Sequence, residues 1–105
     1  CEADDRMTAC AFDTRLNHMG AKLKAVFSSD IGHWDVPDMT RVLVDAWKMV
    51  ECKMIGEDDF EAFAFRNPVM LHAGMNPDFF KGTAVESAVA NLLRERPATG
   101  RAGAA

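Results

Sequence analysis

The sequence predicts an α/β chain, mostly helical with one or two parallel strands. Leu23 to Ser28 carries that prediction, being a continuous apolar patch that includes the β-formers Val26 and Phe27 and is bounded by Gly20 and Gly32. That pattern belongs to a strand covered on both faces. Everything after it has helical spacing or connects helices, and no second run of comparable quality follows. A lone strand leaves both rows of its backbone groups unpaired, so the sheet it would need is mostly absent from the chain.

The elements follow in order. Cys1 to Arg6 is acidic and short and reads as a strand-to-helix loop. From Met7, the apolar positions Cys10, Ala11 and Leu16 predict a short, weakly amphipathic helix, ended between Asn17 and Gly20 by residues that commonly terminate helices. After the strand, Pro37 and Asp38 open the best-defined helix, with Asp35 or Asp38 able to cap it. Met39, Val42, Leu43, Ala46, Trp47 and Val50 form its apolar stripe, opposite Arg41, Asp45 and Lys48.

Gly56 ends that helix, and Glu57, Asp58 and Asp59 place acids in the first turn of the next, where the macrodipole favours them. Phe60, Phe63 and Ala64 mark its buried side. Asn67 and Pro68 should break it before a short helical turn that runs through Val69, Leu71 and His72 to Gly74. Asn76-Pro77-Asp78 is a turn, with Phe79 and Phe80 pinning the loop to a core. Thr83 and Glu86 form a T-x-x-E capping box before the terminal helix of Val85, Ala88, Val89, Leu92 and Leu93. Residues 1–96 thus form the folded part, and 97–105, small and without periodicity, a disordered tail.

Bulk properties narrow the function. At 105 residues there is room for one domain with a modest core. The net charge of -4 and the scattered Lys and Arg argue against nucleic acid as a partner. No apolar run is long enough to span a bilayer, and the acidic start is unlike a signal peptide. Three cysteines, Cys1, Cys10 and Cys52, form no CxxC pair and cannot all be bridged. A reducing, cytoplasmic setting is expected. The chain opens on Cys1, and its first residues read as the end of something longer.

The chemistry gathers where the apolar run ends, at Asp30, His33, Trp34 and Asp35. In parallel α/β folds the carboxyl ends of strands hold the reacting side chains, since loops and helix amino termini converge there. Asp30 could hold a divalent metal or take a proton from a water on it, given imidazoles from other strands. His33 could face the same crevice, its alternative being a loop-anchoring histidine. Trp34 would wall a pocket, and Asp35 reads as a helix cap. His18 and His72 have no carboxylate or cysteine at ligand spacing.

The run Phe27-Ser28-Ser29-Asp30-Ile31-Gly32-His33-Trp34-Asp35-Val36-Pro37-Asp38-Met39 is followed by Glu57-Asp58-Asp59-Phe60, Phe65-Arg66-Asn67-Pro68 and Gly74-Met75-Asn76-Pro77-Asp78-Phe79-Phe80-Lys81-Gly82-Thr83. In this order the segments resemble the carboxyl-terminal part of amidohydrolase-related proteins. That family comprises metal-dependent (β/α)8 TIM barrels that hydrolyse, or nonoxidatively decarboxylate, carboxylated small molecules. The resemblance implies that Asp30 ends the eighth strand, binds the catalytic metal, usually zinc, and helps activate its water. It implies that His33 and Trp34 face the substrate from the loop beyond, and that Glu2, Asp4 and Asp5 lie near the end of the seventh strand.

The family's remaining ligands are histidines, including a His-x-His pair, that this chain lacks. The expectation is therefore a carboxyl-terminal fragment of a metal-dependent hydrolase or decarboxylase. Zinc or another divalent metal would be the cofactor of the full-length parent, and no metal and no turnover are expected for the isolated chain. A second expectation, of another class, is a self-standing helical module that forms homo-oligomers or binds a protein partner through Met39, Val42, Ala46 and Val50.

Overall fold

Residues 1–95 are described by a computed structural model, and none of them lies in a β-strand. The α/β expectation, a TIM-barrel segment with one or two parallel strands, is thereby overturned: the chain is a small helical protein. Ala21 to Ser29 has no regular secondary structure, and its polar groups find partners outside any sheet. Leu23 N–H donates to the Ala11 carbonyl at 2.7 Å, Phe27 N–H to Phe63 at 3.0 Å and Ser28 N–H to Cys1 at 2.8 Å. The Cys1 amine donates to the Val26 carbonyl at 3.1 Å, and the Asn67 side-chain amide to the Ala25 carbonyl at 2.9 Å. Loop and helix groups thus do what a neighbouring strand would have done, which satisfies the backbone without a ladder.

The helices follow the expected order with altered ends. Arg6–Phe12 is a 3₁₀ helix, begun by the Asp5 carboxylate accepting from Met7 N–H, and it is shorter than the helix the sequence suggested. Asn17 is involved in its termination, its side-chain amide donating to the carbonyls of Cys10 and Ala11. Met39–Arg41 is a 3₁₀ turn that leads into α1, Val42–Glu51. Its cap is Asp38, whose Oδ1 accepts from Thr40 N–H and from the Thr40 hydroxyl, and this leaves Asp35 out of the helix.

Helix α2, Glu57–Glu61, starts at the three acids, and the Asp59 carboxylate accepts from Gly56 N–H. Asn67 and Pro68 do not break the run as expected. A π turn, Ala62–Arg66, widens the chain just before α3, Asn67–Ala73. Pro68 has no N–H to return to an ordinary helical carbonyl, and a wider turn is one way to carry that loss. Helix α4, Glu86–Glu95, is as expected, but the Thr83 cap is not. The Thr83 hydroxyl donates instead to the Phe80 carbonyl, while the Glu86 carboxylate accepts from Gly82 N–H. The tail expected over 97–105 lies outside the described residues.

Two compact units share the chain, Cys1–Pro68 and a second from Val69. The core of the first comprises Ala3, Ala9, Phe12, Ala46, Met49, Ile55 and Phe63. Phe63 is fully buried and meets Phe27 and Phe12 edge-on, with centroids 5.7 and 6.3 Å away. Trp47 packs edge-on against Phe60 at 4.9 Å. Of the stripe proposed for self-association, Ala46 is fully buried and Val42 and Val50 pack on the core, leaving Met39 exposed. In the second unit Val69, Ala73 and Val89 are buried, and His72 stacks on Phe79 at 4.6 Å with Phe80 edge-on to both. No helix among the described residues is long and apolar enough to cross a membrane.

Candidate functional site

The extended run hands over to a tight loop at Asp30, whose φ of 52° lies in the left-handed region. Asp is one of the few non-glycine residues that tolerate this, because its short polar side chain can bond locally. The loop is held by its own turns. The Ser29 hydroxyl accepts from Ile31 N–H, His33 N–H donates to the Asp30 carbonyl at 3.2 Å, and Val36 N–H donates to the His33 carbonyl at 3.1 Å. Gly32, at φ 105°, supplies a backbone conformation that a side chain would strain.

This folding brings Asp30, His33 and Asp35 together, one ligand atom of each lying within 4.8 Å of the others. The Asp30 side chain is 20% exposed, and its Oδ2 lies 2.8 Å from His33 Nδ1. The contact has the distance of an ion pair without hydrogen-bond alignment, so Oδ2 is shielded from water and lacks an aligned donor. A shielded carboxylate oxygen needs a cation or donor near it, and His33 Nδ1 is the group at that distance. Asp35, counted in the polar cluster of the sequence but read there as a cap, is not the cap; Asp38 is, and the D-x-x-H-x-D spacing across Gly32 brings Asp35 beside Asp30 and His33.

Trp34 does not wall a pocket in this structure; it is 93% exposed. A cleft of about 200 Å³ lies instead beside Asp35, and its lining includes Ser29, Glu2, Asp4, Asp38, Asp45 and Arg41. Glu2 and Asp4, to which the resemblance gave no role, therefore share a wall with the loop. Asp38 is held below the usual carboxylate range by the Thr40 hydroxyl and N–H, with a smaller contribution from Arg41. Asp45 is paired with Lys48 at 3.0 Å. A second, shallower depression near Asp13 and Asp59 has its carboxylates already engaged, Asp13 with Arg15 at 3.1 Å and Asp59 with Lys22 at 2.7 Å.

Of the two histidines that the sequence had set aside, His72 is in the Phe79 stack and His18 opens an exposed 3₁₀ turn. No protein-family model, curated protein or solved structure matches the chain.

Proposed function

We propose that the chain supplies a divalent-metal ligand, Asp30, to a metal-dependent hydrolase or nonoxidative decarboxylase of carboxylated small molecules, related to the amidohydrolases. The observation that carries the reading is the shielded Oδ2 of Asp30 at the end of the extended run, 2.8 Å from His33 Nδ1 but without an aligned hydrogen-bond donor. The residues fit a divalent ion, since the neighbouring groups are an imidazole and a second carboxylate. Zinc is the metal the resemblance implies. When bound, such an ion supplies a Lewis acid to a carbonyl or carboxylate oxygen.

The chain's own residues have separate tasks. Asp30 holds the ion from a backbone conformation fixed by the loop. His33, whose side chain is 70% exposed, can reach a substrate at the loop surface. Trp34 offers that substrate an apolar face, and Arg41 in the adjacent cleft suits a substrate carboxylate. The free thiols of Cys1, Cys10 and Cys52 support a cytoplasmic setting.

Turnover belongs to a polypeptide that adds the missing histidines. The test is to express the full reading frame that encodes these residues, load it with zinc, and follow hydrolysis or carbon dioxide release from carboxylated aromatic substrates. Asp30→Asn should reduce turnover to background; a full frame without metal-dependent turnover, or one indifferent to Asp30→Asn, overturns the reading.

The second reading, a non-catalytic helical module that self-associates, now needs a different surface. Ala46 is consumed by the core, while Trp34, Met39 and Leu43 are exposed.

A further inference from the structure

We infer that Met19 and Met75 are reversible oxidation sites: they take up oxygen from a peroxide-class oxidant as sulfoxides while the fold is kept, and they are substrates for methionine sulfoxide reductases. The inference is independent of the proposed enzyme, since it uses no residue of the Asp30 loop.

Methionine is ordinarily a core residue, a flexible apolar side chain that fills irregular gaps. Of the seven in this chain, Met49 alone is buried and Met70 is half-buried. Met7, Met19, Met39, Met54 and Met75 are exposed, with Met19 and Met75 the extremes at 91% and 90%.

Folding gives neither of these two a reason to be methionine. Met19 lies between His18 and Gly20 with a φ of 58°, in the left-handed region. That conformation suits glycine or asparagine and works against a long side chain. Met75 lies in the turn after α3, where its N–H donates to the His72 carbonyl at 3.3 Å, a bond that any residue but proline can make. What methionine brings to both positions is an accessible thioether sulfur.

The oxidation balances without any further reactant. A sulfur lone pair attacks one oxygen of hydrogen peroxide, the O–O bond breaks, and the departing hydroxide takes the proton from the transferred oxygen and leaves as water. Sulfur loses two electrons and the peroxide gains them. The sulfoxide is polar, a change that costs little where the side chain already meets water. At Met49, which shares its core with Phe12, Ile55 and Phe63, the same change would bury a polar group among apolar side chains. Two thiols reverse the reaction, forming a disulfide and water, with one reductase for each sulfoxide epimer.

The test is to treat the purified chain with hydrogen peroxide, in buffer and in urea, and to follow each methionine by peptide mass spectrometry, which separates these products from oxidised Cys1, Cys10 and Cys52. In buffer Met19 and Met75 should react within about 2-fold of their rates in urea, and Met49 at least about 10-fold more slowly than in urea, because a buried sulfur reacts only when the fold opens. Far-UV circular dichroism and the urea midpoint should be unchanged once Met19 and Met75 carry oxygen. The two reductases, supplied with dithiothreitol, should return both residues to the thioether. Equal rates at Met49 and Met19 in buffer overturn the inference. So do protection of Met19 and Met75 in the folded chain, loss of the fold on their oxidation, and sulfoxides that the reductases leave in place.

Discussion

Ala21–Ser28 and the loop Ser29–Val36 are consecutive in the chain and opposite in how they are held. The first segment is tied outward, its backbone bonded to Cys1, Ala11, Phe63 and Asn67, and Phe27 packed on Phe63. The second is tied mainly to itself, through bonds spanning two or three residues. The first is therefore fixed by distant partners and the second by its own turns, with Asp30 at the joint. For the proposed metal role of Asp30 that arrangement matters, because a side chain at the joint is positioned by the anchored segment.

Substitutions that strike the anchoring of the first segment should act through stability. Phe63→Ala removes a fully buried ring that both aromatic neighbours meet edge-on, and should cost about 3–5 kcal/mol in chemical denaturation. An effect below about 1 kcal/mol would mean that the extended segment is not anchored there. Asn67→Ala leaves the Ala25 carbonyl without its side-chain donor and should cost about 1 kcal/mol by the same measurement. Amide exchange at Phe27 should quicken in that variant, because its bond to the Phe63 carbonyl lies beside the lost contact.

The smallest effect is expected at the loop's exit. The Asp38 carboxyl is held down by Thr40, so its folded value lies below its unfolded one. A depressed carboxylate stabilises the fold at pH above its unfolded value, near 3.9, and that contribution disappears as pH falls through the lower folded value. Asp38→Ala should flatten the acid limb of the stability curve between those two values. Thermal melts taken from neutral pH down into the acid range check it, and an unchanged limb would show that this exposed cap contributes nothing to folding.

Legibility in the sequence follows the same division between local and distant causes. The spacing of Val42, Ala46 and Val50, the acids Glu57–Asp59 and the run before Leu92 located α1, α2 and α4, since helix signals sit within the helix itself. Leu23–Ser28 was rightly set apart from the helices, but a sheet is a property of partners, and the α/β reading inferred partners that the described residues do not contain. Pro68 was read as a break because the compensating π turn depends on how the residues before it are packed. Asp30 and His33 were legible as a pair from their position after the run. Asp35 was counted beside them but read as the cap, because two aspartates flank Pro37 and local rules alone do not say which one caps.

The left-handed backbone at position 30 restricts its occupant before any ion is considered. Glycine, asparagine and aspartate accept that conformation at low cost; longer and branched side chains resist it. A cation site asks for a carboxylate, which admits aspartate and glutamate. Only aspartate satisfies both demands, so in a library of the full reading frame randomised at this codon, selection for folding alone should return three residue types, and selection for the proposed metal-dependent turnover should return one.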